Sequence, residues 1–283
     1  MTSVTELSPE VAARRIIHTT RGSTHGMITR LMSPGDLGEL LKPFVFLDIF
    51  DNGGEPFTGF GLHPHSGIAT LTYIAEGSVT YEDTNGATGL LRAGGVEWMR
   101  AGKGVWHGGG AGDPEYTRGF QLWVALPPHL ELGESQSLYQ GEADIPQVGP
   151  AKVLLGTYGG TSNAIEPPSP ITYLAVSLRA GERWRFDPAP GHQVLWAALG
   201  KGKVAVPELV SSGDMIVFER GEDGVEFVAA EDSEFVIGSA VPHDHDLVLG
   251  RYSVHTSPAA LRAGEARIME IHGDLHRQGK FTR

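Results

Sequence analysis

Residues 63–83 read HPHSGIATLTYIAEGSVTYED, and this stretch decides the fold. His63 and His65 flank a single residue, and on a β-strand such a pair projects from one face. From Ile68 to Glu76 the alternation is imperfect, with Ala69, Leu71 and Tyr73 set against Thr70, Thr72 and Ile74. That is the pattern of a strand partly buried on both faces. Glu76-Gly77 and Thr84-Asn85-Gly86 are turn signals, and Asn85-Gly86 is the strongest hairpin signal in the chain. The same short-stranded rhythm continues through Gly89 to Leu91, a turn at Ala93-Gly94-Gly95, a strand at Val96 to Met99 and a loop at Ala101-Gly102-Lys103-Gly104. Phe120 to Leu126 is a further strand, ended by Pro127-Pro128.

Further along, residues 156–170 (GTYGGTSNAIEPPSP) form an ordered connection, after which strands resume in ITYLAVSLRAG, GHQVLWAALGKGKVAV, DMIVFERG and EFVIGSAV. LTYIAEGSVTYED with its Gly-Gly turn and VEWM resembles VLWAALGKGKVAV with Ser212-Gly213 and MIVF. Two copies of one unit at this length predict two small β-barrels in tandem. The expected division is a flexible arm over 1–15 with a helical turn near Pro9 to Arg15, an N-terminal domain over 16–150 and a C-terminal domain over 151–283. One short C-terminal helix is expected from Pro258 through Ala263 to about His272, with Ser257 as N-cap and Pro258 at the first helical position.

Composition narrows the function. Lys and Arg number 22 against 34 Asp and Glu, a formal charge of −12. So acidic a chain argues against phosphate-neutralising nucleic-acid binding and against an anionic membrane surface. The absence of cysteine removes disulfides, thiolate metal sites, Fe–S clusters and cysteine nucleophiles. The 39 glycines fit many tight turns between short strands. No segment approaches the ~20 apolar residues of a membrane span, and the opening residues lack the apolar core of a signal peptide, so a cytoplasmic protein is expected.

His63 and His65 could share one metal ion, with His107 delivered by the glycine-flanked loop before it. Histidine sites without cysteine suit Fe, Ni, Cu, Zn or Mn. Spacing alone leaves open three separately hydrogen-bonded histidines near turns. At this point HPHSGIATLTYIAEG, VEWMRAGKGVWH and GFQLWVALP resemble the N-terminal half of the pirin family of bicupins. Arg21-Gly22, Leu47-Asp48, GRYSVHTSPAALRAGEARI and Gly279-Lys280-Phe281 extend the likeness. The resemblance covers the chain from about residue 15, although residues 140–240 match only in pattern. It implies an all-β fold of two cupin barrels packed face to face. It also implies a mononuclear metal centre in the N-terminal barrel, usually iron. The activity it implies is of the quercetin 2,3-dioxygenase type in some members, and regulation through protein contacts in others.

The resemblance carries His63, His65 and His107 over as metal ligands. The family's fourth ligand, a Glu two residues after the third His, falls on Gly109, and the general cupin glutamate falls on Ala69. Gln121, Glu97 and Glu115 are the nearby candidates to replace it. Losing that carboxylate removes a ligand and the natural base for a flavonol hydroxyl, so a weak or altered dioxygenase is expected. Gly109→Glu is expected to rebuild the shell, provided a side chain fits among Gly108, Gly109 and Gly110. In the second repeat Pro188 and Pro190 replace the paired histidines, which predicts no metal there. The His243-Asp244-His245-Asp246 run reads as a solvated loop and His192 as a loop residue. Trp98, Trp106 and Trp123 read as core or pocket wall. Gly102-Lys103-Gly104 lacks the strand–helix context of a phosphate loop. The two function classes are a metal-dependent oxygenase of a small aromatic substrate and a regulatory binding protein with a protein partner.

Overall fold

The computed structural model describes residues 14–55, 57, 59–112 and 116–280. Each half builds a large sheet backed by a small one. In the N-terminal half the seven-stranded sheet runs, edge to edge, Gln136–Gln140, Val96–Arg100, Ile68–Glu76, Arg118–Ala125, Phe44–Asp51, Ile28–Met32 and Ser23–His25. Its partner sheet runs Phe60–His65, Val105–Gly109, Ser78–Asp83 and Thr88–Arg92. The C-terminal half repeats this order. Val194–Lys201 and Lys203–Val206 correspond to Ile68–Glu76 and Ser78–Asp83, and Met215–Phe218 corresponds to Val96–Arg100. The repeat legible in the sequence is therefore a repeat of structure. Gly77 and Gly202 occupy the same turn in each copy with φ near +76° and +80°. A Cβ there would fall 1.9 Å from the Tyr116 carbonyl oxygen and 2.3 Å from that of Asp232.

The two large sheets pack against each other. Period-two alternation sends Leu47, Leu71, Trp98, Phe120 and Leu122 to this seam, where they meet Tyr173, Trp196, Met215 and Val217. Phe44 meets Trp196 edge-on at 5.4 Å. Arg118, buried at the same seam, donates from Nη2 to Glu76 and to Glu234 at 2.6 Å each, joining the two halves.

The chain ends cross over. Ile16–Thr20 pairs antiparallel with Met215–Phe218 at the edge of the C-terminal large sheet. A 20-residue C-terminal helix, Pro258–Arg277, returns to the N-terminal barrel. Ser257 Oγ caps it by accepting from the Ala260 amide, and Pro258 opens it. Its buried stripe of Ala260, Gly264, Ile268, Ile271 and Leu275 has helical spacing. Ile268, Ile271 and Leu275 cover Trp106, whose indole N–H donates to the Ile268 carbonyl at 3.0 Å. The helix thus runs past His272 because Leu275 is still on the buried face. A five-residue helix at Leu37–Leu41, not expected from the sequence, starts at Asp36, whose carboxylate accepts from the Leu37 and Ser33 amides. Of the helical turn expected near Pro9 to Arg15, only Arg14 and Arg15 are among the described residues, and both are non-helical. No helix of the described residues is long and apolar enough to cross a membrane.

Candidate metal centre

The strands Phe60–His65 and Val105–Gly109 lie antiparallel, with His107 directly opposite His63 and Val105 opposite His65. Strand periodicity puts His63 and His65 on one face, and this register adds His107 to them. Ring centroids are 4.5 Å apart for His63 and His107, 5.0 Å for His63 and His65, and 5.1 Å for His65 and His107. One ligand nitrogen from each ring lies within 4.8 Å of the other two. Among the described residues no other cluster of three or more His, Asp or Glu side chains converges in this way.

The hydrogen bonds fix the tautomers. His63 Nδ1 lies 2.8 Å from the Gly61 carbonyl oxygen and His65 Nδ1 lies 3.0 Å from that of Tyr252. A carbonyl can only accept, so each Nδ1 carries the proton and each Nε2 presents a lone pair. His107 Nδ1 faces Glu97 Oε1 at 3.2 Å, and Glu97 Oε2 accepts from Thr72 Oγ1 at 3.0 Å. Nε2 of His65 and of His107 are buried with no protein partner. A buried polar atom left unpaired costs roughly 1–3 kcal/mol, so two bare lone pairs side by side are a place for a metal ion or a hydrogen-bond donor. Burial and the neighbouring His107 lower the His63 pKa to about 4, and burial, with His63 and His107 alongside, holds His65 well below the usual imidazole range. Both rings therefore stay in the neutral, ligating form near neutral pH. Burial pushes the Glu97 carboxyl up, but its bonds to His107 and Thr72 outweigh this and leave it below the ordinary value, a carboxylate.

The three rings floor a cavity of about 370 Å³. Its walls come from the inward-facing residues of the large sheet, Phe46, Phe50, Thr72, Glu97, Gln121 and Trp123, together with Phe60 and Tyr81 of the small sheet. Phe46 and Trp123 stack at 4.0 Å with 6° between planes, and the Arg30 guanidinium lies 3.9 Å from the Phe46 centroid. Arg30 also clamps Asp48 with bonds of 2.5 and 3.1 Å. Burial raises the Asp48 pKa against the pull of that guanidinium.

The candidates for the missing carboxylate separate. Gln121 and Glu97 line the cavity, Glu115 falls outside the described residues, and Ala69 faces the seam between the barrels. Glu97 is engaged on the Nδ1 side of His107, away from the bare Nε2. Gly109 stands at a bulge, where the pairing shifts between His107 and Gly109. A Cβ at Gly109 would lie 2.1 Å from the Thr80 carbonyl oxygen. The glycine is fixed by this close approach of a neighbouring strand and not by a positive φ, so the expectation that Gly109→Glu rebuilds a fourth ligand is revised. The tryptophans have three different jobs: Trp98 fills the seam, Trp123 walls the cavity and Trp106 lies under the C-terminal helix. His243 is not solvated as expected but buried, 8% exposed, with Nε2 unpartnered. Its ring sits 5.2 Å from that of His245, with no third ligand converging among the described residues. His192 is a buried loop residue whose Nδ1 meets Ser239 Oγ at 3.2 Å. Pro188 and Pro190 follow the strand Arg183–Phe186 in a loop.

Two stacked antiparallel barrels, one of them open around a histidine cluster, define a two-barrel protein of the cupin fold. The Pirin family model matches residues 26–124. A pirin-like protein of Caulobacter vibrioides is 32% identical over 227 residues, covering 76% of this chain and 81% of the relative. The chain belongs to the pirin family. A Pseudomonas aeruginosa relative named "Putative quercetin 2,3-dioxygenase" is 29% identical over 237 residues, covering 78% of this chain and 82% of its own. The crystal structure of quercetin 2,3-dioxygenase from Acinetobacter baumannii shares the fold, with a TM-score of 0.81 at 24% identity over 96% of this chain and 99% of that one.

Proposed function

We propose that this pirin holds one divalent metal ion, iron first among Fe, Zn, Ni, Cu and Mn, on Nε2 of His63, His65 and His107. We further propose that it is an oxidoreductase of the quercetin 2,3-dioxygenase type acting on a flat, oxygen-bearing aromatic. The carrying observation is the pair of buried, partnerless Nε2 atoms on His65 and His107, each ring pinned by its opposite nitrogen. The name of the Pseudomonas relative and the aromatic lining of the cavity support the substrate class. When bound, the metal would supply a Lewis-acidic centre with open positions for an oxygen donor and for dioxygen.

The chain's own residues do the rest. Phe46, with its faces taken by Trp123 and Arg30, and Trp123 give the cavity an apolar wall, and Gln121 offers an amide to substrate oxygens. Glu97 holds the His107 proton on Nδ1 and adds negative charge behind the ligand. It is a weak base toward a substrate proton, because, despite its burial, the bonds from His107 and Thr72 hold its carboxyl below the ordinary value. With no better base at Gly109, proton removal from a flavonol is poorly assisted, which is the physical ground for a weak or altered activity. Gly109, with no carboxylate, supports the second reading, a regulatory binding protein acting through protein contacts, in which a metal, if present, only shapes the surface.

The test is elemental analysis of protein made without a metal-affinity tag, then oxygen uptake with a flavonol. One metal per chain with flavonol-dependent uptake is the expected result. Metal without uptake for flavonols or simpler aromatic alcohols would favour the second reading, and no metal with any of the five ions would sink the oxygenase and leave only a metal-free binding protein.

A further inference from the structure

Behind His65, on the side away from the cavity, lies a buried polar chain that the proposed chemistry does not use. Ser66 Oγ is hydrogen-bonded to Ser253 Oγ at 2.8 Å and to His255 Nε2 at 2.9 Å. His255 Nδ1 faces Glu131 Oε2 at 3.1 Å. Glu131 also accepts from the Thr256 amide and from Thr256 Oγ1, both at 2.7 Å, so both of its oxygens are occupied. Ser66, Ser253, His255 and Glu131 are 0%, 2%, 1% and 4% exposed. Ser66, His255 and Glu131 are connected like a hydrolytic triad, but nothing can reach them. A Cβ on Gly264 of the C-terminal helix would lie 2.5 Å from Ser66 Oγ and 2.6 Å from His255 Nε2, so the helix closes directly over the group.

The same segment carries the Tyr252 carbonyl that orients His65. Tyr252 itself belongs to no regular strand, and the anchoring of Ser253 and Val254 sets its position. Ser253 bridges in parallel to Ser66, and the Val254 amide donates to the Ser66 carbonyl at 3.3 Å. Gly67, with φ near +73°, lets Val254 come so close that a Cβ would fall 2.0 Å from its carbonyl oxygen. A buried carboxylate with both oxygens engaged, bonded to His255 and Thr256 just beyond these anchors, leaves this segment little freedom.

We infer that Glu131, His255 and Ser253 are positioning residues for the metal centre, holding the His65 ring in its ligating orientation through the Tyr252 backbone. The inference rests on the metal reading proposed above. Glu131→Gln and the milder Ser253→Ala are titrated as metal-free protein with Co²⁺ alone, against a chromophoric chelator. Visible spectra of the Co²⁺ forms and melting temperatures of the metal-free forms are recorded. A core variant remote from the segment, Phe227→Leu, serves as the stability control.

Glu131→Gln should weaken Co²⁺ binding about tenfold or more, the scale of outer-shell losses, and shift the visible bands. Ser253→Ala should move both readouts the same way by less, and it stands alone if Glu131→Gln does not fold. Phe227→Leu should lower the melting temperature while leaving affinity and bands unchanged. Wild-type affinity and bands in the folded variants would overturn the inference. So would equal losses in Phe227→Leu, which would mark a purely structural role. Failure of the wild type to bind Co²⁺ or any of Fe, Zn, Ni, Cu and Mn in the same competition would be a distinct result, removing the metal reading and this inference with it.

Discussion

The two barrels share a strand order and differ in what their inner faces carry. In the N-terminal barrel the inward positions of the large sheet include Phe46, Asp48, Thr72, Glu97 and Gln121, and space remains for a ligand. In the C-terminal barrel they include Leu174, Leu195, Leu199, Phe235 and Ile237, closed from the other side by Trp184, Phe186 and Phe227. The aromatic rings there pack at 4.8 to 6.1 Å and fill the interior. Backbone architecture is thus indifferent to function in this chain. A single parity of side chains along each strand decides whether a barrel is a site or a scaffold. The outward parity is alike in both, because each needs an apolar face for the seam.

The sharpest way to break this comparison is at the ligands. His65→Ala should abolish stoichiometric metal binding, measured by elemental analysis after loading and desalting. Metal retained at one per chain would mean that the scaffold barrel, or a loop, holds it. Next in size is a matched pair of truncations. Phe227→Ala, at a fully buried position of the filled barrel, should cost ~3–5 kcal/mol in denaturant unfolding. Phe60→Ala, on the cavity wall, already borders empty space and should cost less than half of that. Equal costs would show that the N-terminal cavity is as tightly filled as its counterpart.

Glu97→Gln keeps an acceptor for His107 but removes the charge, and it should weaken metal binding ~10–100-fold in a chelator competition. Unchanged affinity would mean that the carboxylate only holds the strand. Gly109→Glu should be destabilised by ~1–3 kcal/mol, as overpacked sites are, with no gain in metal affinity. A stable variant that binds iron more tightly would show that the strand carrying Thr80 yields and that position 109 reaches the metal.

The smallest effect concerns pH, at a group away from the metal. Burial first, then His245 and Lys42, lower the His243 pKa to about 4. The unfolded ring takes up its proton near the ordinary value of 6.5 and the folded ring does not, so stability falls as pH drops from about 6.5 to about 4. His243→Gln should make that fall shallower, by at most about 1 kcal/mol per pH unit once solvent screening is allowed for. Melting curves across this window, on metal-free protein, give the comparison; parallel curves for the variant and the wild type would contradict it.

The sequence made the histidine pair legible, because a period of two is enough to place His63 and His65 together. His107 needed a cross-strand register that no local pattern encodes, and there the resemblance supplied what spacing left open. Glu97 carried a usable signal: a charged residue between Val96 and Trp98 in a buried strand must find partners, which marks it as engaged before its role is known. The obstacle at Gly109 was not legible, since the Thr80 carbonyl belongs to the next strand over and comes into range only through the bulge. Nor could the Tyr252 carbonyl be found, because a backbone acceptor has no residue type to announce it. Ile16–Thr20 (IIHTT) is rich in β-branched residues and is a strand in the fold, yet its partner in the other half depended on which sheet edge was vacant. In the N-terminal barrel that edge is taken by Gln136–Gln140.

The crossover of the chain ends also sets a timetable for biosynthesis. His65 and the carbonyl that orients it are separated by 187 residues. At ~5–20 residues per second, a ribosome takes roughly 10–40 s to deliver the second after the first. During that interval the nascent chain displays first His63 and His65, and then His107 as well, without the backing that sets one of them. Metal capture by the finished arrangement, on the reading proposed above, would therefore come after translation of the segment around residue 252, and a prematurely terminated chain would carry the three histidines without their complete setting.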